Sequence, residues 1–243
     1  MGSGGGNFES RRSCYCKFRR AHAAPLRPLG IPNRMQPTID SLARTLPERL
    51  ADGTGVVARS NQGTVHRVAH AGRIFAVKCA AGRGPLGAVN RLALRREYRA
   101  YRRLDGISGV PRCHAFIDDR WLVLDFIEGV PFRHAAAGPS FFVHLLATLR
   151  SMHERGVAHG DLKRKANLMV DARGRPMLID FGAAVIRRPG FHPVNRRLFE
   201  FMRQTDLNAW VKLKYGGYEN VDDDDRALLA RSWIERSLGR FRR

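Results

Sequence analysis

The run His159-Gly160-Asp161-Leu162-Lys163-Arg164-Lys165-Ala166-Asn167, followed by Leu178-Ile179-Asp180-Phe181-Gly182, carries the densest chemistry in this chain. It sets Asp161, Asn167 and Asp180 around a hairpin predicted over Asn167 to Asp180, turning at Ala172-Arg173-Gly174. Two carboxylates and an amide can divide two tasks. One acid aims a hydroxyl, while the amide and the other acid offer hard oxygen ligands to a divalent cation bridging phosphates.

Working outward, the texture upstream is that of strands: Val56 to Arg59, Thr64 to Ala69 and Arg73 to Cys79, separated by Gly63 and by His70-Ala71-Gly72. A loop over Ala81 to Gly87, rich in Gly and Pro, leads to a basic amphipathic helix predicted over Arg91 to Leu104, where Leu94, Tyr98, Tyr101 and Leu104 recur at helical spacing. Lys78 closes a strand, and Glu97 is the only acid between Cys79 and Leu104. Strands follow at Cys113 to Asp118 and Trp121 to Phe126, then a turn at Glu128-Gly129-Val130-Pro131. Pro139 to Glu154 reads as an apolar helix buried on most sides, with Met152 and His153 in core roles, and two amphipathic helices end the chain.

These residues, in this order, resemble the protein-kinase superfamily, whose catalytic loop reads H-R-D-L-x-x-x-N and whose metal-binding Asp lies in D-F-G. The resemblance covers about Thr54 to Val185. It implies an α+β, two-lobed protein-kinase-like fold with a small antiparallel β-sheet N-lobe and a truncated, mainly helical C-lobe. It implies ATP and Mg2+ as cofactors, Asp161 and Lys163 as catalytic residues, and Asn167 and Asp180 as metal ligands. Lys78 would meet the α/β-phosphates with Glu97 as its ion-pair partner, Gly63 and Val65 would cover the nucleotide, and Asp125 to Ile127 would meet adenine through backbone groups.

The sequence also departs from that pattern. Aligned on Val65, Gly63 takes the third position of the glycine-rich loop, but Ser60 and Ala58 take the first two. Gly160 replaces the Arg that receives a phosphorylated activation loop, which implies constitutive activity. Asp161 to Asn167 spans six positions where the pattern spans five. No A-P-E follows Asp-Phe-Gly, and the stretch after Gly182 is short for a peptide platform. Compact C-lobes of this kind resemble Rio-type kinases and the bacterial lipopolysaccharide core kinases that phosphorylate Kdo or heptose, with His-Gly-Asp-Leu and the extra residue before Asn closer to the bacterial branch.

Composition frames the partner. The 243 residues carry 43 Lys+Arg against 22 Asp+Glu, a net charge of +21, and only 6 of the basic residues are Lys. Arginine suits bidentate phosphate and carboxylate contacts, so anionic partners are expected: glycolipid, an acidic membrane surface or, less favoured, nucleic acid. The hydrophobic fraction of 44% excludes a wholly disordered chain. Four cysteines, Cys14, Cys16, Cys79 and Cys113, make neither a disulfide scaffold nor a zinc site and read as a reducing compartment. No apolar run is long enough to span a bilayer. Residues 1 to 34, basic and without apolar period, read as a disordered tail or as sequence ahead of a true start at Met35; residues 35 to 243 form the kinase-like domain, with lobes at about 45–127 and 128–243.

Two functions stand side by side. One is an ATP-dependent phosphotransferase for a hydroxyl of a lipopolysaccharide core sugar, cytoplasmic and peripheral on the inner membrane face. The other is a Rio-like Ser/Thr protein kinase or ATPase bound to ribonucleoprotein. A degenerate, non-enzymatic adaptor fits poorly with retention of Lys78, Asp161, Asn167 and Asp180. The last helices, which interleave aromatics with arginine, either pack on the C-lobe or lie at a membrane interface.

Overall fold

In the computed structural model the described residues are 35–230 except 52, 54, 61, 62, 83 and 136. The tail expected over 1–34 and the helix expected around Trp233 to Phe241 lie outside them.

A five-stranded antiparallel sheet forms the first lobe: β1 (Val56–Ser60), β2 (Gly63–His70), β3 (Arg73–Ala80), β4 (Cys113–Ile117) and β5 (Trp121–Asp125), in the order β1-β2-β3-β5-β4. Ala71 and Gly72 turn β2 into β3 with φ of 48° and 72°, the left-handed pair that a two-residue hairpin needs. The sheet is covered on both faces. Phe75, Val77 and Val123 pack with Val68 and Ala115 against a helix α1 (Gln36–Ala51), through Ile39, Leu42, Leu46 and Leu50. Alternation turns Ala76, Lys78, Leu122 and Leu124 to the opposite face, toward α2 (Gly84–Arg103) and the second lobe. The sequence reading did not foresee α1, and with it the first lobe reaches back to Gln36; Pro47 inside the helix removes one backbone donor and breaks its signature.

Helix α2 starts at Gly84, ahead of the expected Arg91, and takes over most of the expected Gly/Pro loop. Pro85 is tolerated in a first turn, and Gly87 lets the helix close on the preceding chain: a Cβ there would stand 2.5 Å from the Gly82 carbonyl oxygen. Leu86, Val89 and Leu92 face solvent, which hides the helical period of this end.

In the second lobe, the expected turn at 128–131 contains a short strand, β6 (Gly129–Pro131), paired antiparallel with β8 (Leu168–Asp171), which in turn pairs with β9 (Pro176–Leu178). A side chain at Gly129 would collide with the Val170 carbonyl, so the pairing depends on glycine. Helix α3 (Pro139–Glu154) buries Phe141, Leu145, Leu149 and Met152 but exposes Val143, and is amphipathic rather than buried on most sides. β7 (Val157–Ala158) pairs with β10 (Val185–Ile186), and α4 (Pro193–Tyr215) runs beneath both, its Trp210 indole N–H donating to the Phe142 carbonyl at 2.8 Å. Gly216, at φ 71°, ends α4. Asp222 stands at the N-cap position of a short α5 (Asp223–Arg226), and Asp225 accepts from Lys214 and Tyr215, a structural use of the acidic run.

Candidate active site

Lys78 leaves β3 on the face opposite Val77, directly across from Val65 on β2. Its ammonium donates to Glu97 Oε2 at 2.7 Å and to Asp180 Oδ1 at 2.8 Å, so one cation ties the sheet, α2 and the Asp-Phe-Gly segment together. Burial alone would lower the Lys78 pKa, but the two carboxylates outweigh it and raise it; burial raises that of Glu97 despite the neighbouring cation. Burial also pulls Asp180 upward, yet Lys78, the Gly182 N–H and His159 together hold its carboxyl below the ordinary value. Asp180 is therefore an anion in a half-buried place, with backbone φ of 64°.

Asp161 follows a backbone held from below. The Asn167 amide donates to the Asp161 carbonyl at 3.1 Å and to its Oδ2 at 3.2 Å. The extra residue of this loop is absorbed by two consecutive turns, Arg164 N–H to the Asp161 carbonyl and Asn167 N–H to the Arg164 carbonyl. Lys163 is exposed on the same loop, and the cation found beside Asp161 is instead Arg164, at 3.8 Å. Among the described residues no group bonds Asn167 Oδ1, and no cluster of three or more His, Cys, Asp or Glu is built to hold a metal alone. The donor set fits a hard cation whose shell is completed by phosphate oxygens: Asn167 and Asp180 would hold Mg2+ against a nucleotide.

At the rim, Gly63 is required by crowding, since a Cβ would overlap the Cys79 carbonyl, while the Ser60 hydroxyl bonds both the Gly63 N–H and carbonyl. Asp125 turns its carboxylate to His114 at 2.6 Å and Arg73 at 3.4 Å, and its N–H donates to the Arg112 carbonyl. The Ile127 N–H has no acceptor among the described residues, as suits a backbone donor for adenine. A cavity of about 550 Å3 behind the site, lined by Gly109, His144, Thr148, Glu154, Arg155 and Arg175, shares no residue with this constellation.

Positioning roles for Asp206, Tyr101 and Arg96 had escaped the sequence reading. Asp206, fully buried on α4, accepts from the backbone N–H groups of His159 at 2.7 Å and Gly160 at 2.9 Å, and from His153 Nε2 at 3.1 Å. Gly160, at φ 77°, lets the loop pass over α4; a Cβ would stand 3.0 Å from the Ala183 carbonyl oxygen and 3.4 Å from Met202 Sδ. Tyr101 of α2 packs edge-on against Phe181, which meets the His159 ring, and the Tyr101 hydroxyl accepts from the Asp180 N–H at 3.3 Å. Arg96 of α2 donates to the Ala184 carbonyl through Nε at 2.9 Å and Nη2 at 2.6 Å, fastening the helix to the residues after Gly182. An acid beside the mostly apolar stretch Leu207 to Val211, broken only by Asn208, is the one sequence signal for Asp206.

Comparison with known proteins agrees with this geometry. The profile of the protein kinase domain matches residues 55–192, more than half of the chain. "Probable serine/threonine-protein kinase mkcB" of Dictyostelium discoideum is 38% identical over 79 residues, which are 29% of this chain and 11% of that protein. "Serine/threonine-protein kinase D" of Synechocystis sp. is 30% identical over 84 residues, 31% of this chain and 17% of that protein. The matching stretches thus span less than a fifth of the length of these relatives. Among solved structures, the Rio2 kinase of Chaetomium thermophilum in its ADP/Mg2+-phosphoaspartate complex superposes with a TM-score of 0.51 at 19% identity, over 83% of this chain and 70% of that one.

Proposed function

The chain belongs to the protein kinase family, and from that premise we propose that it is a Mg2+- and ATP-dependent phosphotransferase acting on an alcohol hydroxyl, with a sugar of an anionic glycolipid, such as a lipopolysaccharide core, as acceptor. The observation that carries the reaction is the Lys78 ammonium shared by Glu97 and Asp180, with Asn167 bonded to Asp161 beside it. In this reading Lys78 binds the α/β-phosphates, Glu97 holds Lys78 in place, and Gly63, Val65 and the Asp125 to Ile127 backbone enclose the nucleotide. Asn167 and Asp180 would hold magnesium, which would neutralise charge on the nucleotide phosphates. Asp161 accepts the acceptor's hydroxyl proton as its oxygen bonds to the γ-phosphorus and the bond to ADP breaks. Lys163, on the same loop, would meet the transferred phosphoryl group.

The acceptor reading rests on the segment after Gly182. Ten residues lead from there to α4 and hold only β10, which leaves little surface for an extended peptide, while 37 arginines favour an anionic substrate. Among the described residues no helix is long and apolar enough to cross a membrane, so a membrane-held acceptor would be met from the surface. A second reading, a Ser/Thr protein kinase, is favoured by the names of the curated relatives and by the Rio2-like fold. Labelled ATP offered with a panel of core glycolipids and with protein acceptors separates the two: label in glycolipid is expected, and label confined to protein serine or threonine would establish the second.

A further inference from the structure

Helix α4 has two apolar faces in its N-terminal half. Phe199 is buried against Ala158 and Val185 with Met202 beside it, which joins this half rigidly to the strands flanking the catalytic loop. The other face is bare: Val194, Leu198 and Phe201 recur at helical spacing within an arc of about 60°, and Phe191 precedes them in the link. Their exposures are 91% for Phe191, 80% for Val194, 44% for Leu198 and 41% for Phe201. Basic side chains flank this stripe. Arg197 stands about 60° of arc from Val194 at the edge of the stripe, and Arg188 precedes Phe191 in the link; the side chains of both have no partner among the described residues and are exposed.

We propose that this face, Phe191, Val194, Leu198 and Phe201 with the arginines around it, is the surface by which the protein lies on an anionic lipid bilayer. It rests on the reading of a membrane-held acceptor for its purpose, though not for its physics. An aromatic and aliphatic stripe bordered by arginine inserts shallowly among acyl chains while the guanidinium groups meet lipid phosphates. Charge decides against the other occupants. A second copy brings a net charge of +21, and residues 231–243 bring five arginines against one glutamate, so each would set like charges against Arg188 and Arg197. Nucleic acid would use those arginines but gains nothing from exposed valine and leucine, since bases stack on aromatic rings.

The full chain is tested by co-sedimentation with phosphatidylcholine vesicles with and without phosphatidylglycerol. Binding is expected only with the anionic lipid, weakening in high salt, and Phe191→Ser with Val194→Ser should reduce it at least ~10-fold while basal ATP hydrolysis is kept. The Phe191→Trp protein should shift its emission to the blue on anionic vesicles. Binding is read without any acceptor and should persist in Asp161→Asn, so its loss would leave the glycolipid reaction to be judged separately in detergent. The proposal is overturned by absence of vesicle binding, by binding that needs the arginines but ignores Phe191 and Val194, by self-association that the apolar variant abolishes, by binding that appears only once residues 231–243 are removed, or by single-stranded RNA binding that Val194→Ser impairs as strongly.

Discussion

Asp206 and Asp161 serve the same few residues of the catalytic loop from opposite situations. Asp206 has no exposure, and its two oxygens are consumed by three N–H donors: two backbone amides of the loop and the ring of His153. Asp161 is 35% exposed, receives one amide from Asn167 and has a guanidinium no nearer than 3.8 Å. The first acid has no opening to offer a substrate, so it fixes where the loop runs. The second keeps an accessible oxygen, which general base work requires. Placement and chemistry are thus assigned to different carboxylates.

The widest expected separation is in stability. Asp206→Ala leaves three buried donors without an acceptor and should cost roughly 3–5 kcal/mol in urea unfolding, whereas Asp161→Asn should leave the midpoint nearly unchanged. Equal stability of the two variants would erase the distinction. A smaller effect is expected where α2 is fastened. Arg96→Ala removes the bonds to the Ala184 carbonyl but leaves Lys78 paired with Glu97, so turnover should fall about tenfold, for a loss of about 1–2 kcal/mol, with the fold retained. Turnover at the wild-type level would show that the helix is held elsewhere. The smallest effect is none at all: between Asp180 and Pro193 there is no Ser, Thr or Tyr, and Gly160 stands where a loop-docking arginine would be. Protein made free of phosphate is expected to match phosphatase-untreated protein in initial rate, and silencing by phosphatase would contradict constitutive activity.

The same contrast explains what could be read in advance. Lys78, Glu97, Asp161, Asn167 and Asp180 each stand beside a local marker: a strand end, a lone acid among arginines, a turn or a glycine. The meeting of Glu97 and Asp180 at Lys78, across 19 and 102 positions of sequence, is what the order of these residues implies. Asp206 has no such neighbour, because its partners lie 46 to 53 positions away and two of them are backbone amides, which have no sequence identity. The start of α2 was hidden for the opposite reason: Leu86, Val89 and Leu92 are apolar yet exposed, so burial and period disagree there. β6 exists through its pairing with β8, a long-range bond that a Gly-Val-Pro triplet does not announce.

The central claim, that Asp161 handles the acceptor while Asp180 holds the metal and nucleotide, is tested most directly by measuring Mg2+-ATP affinity and phosphoryl transfer side by side in Asp161→Asn and Asp180→Asn. The account predicts that Asp161→Asn loses about 10²–10⁴-fold in turnover with ATP affinity within a few fold, and that Asp180→Asn weakens Mg2+-ATP binding itself. Near wild-type turnover in both variants, or loss of nucleotide binding in Asp161→Asn alone, would contradict it.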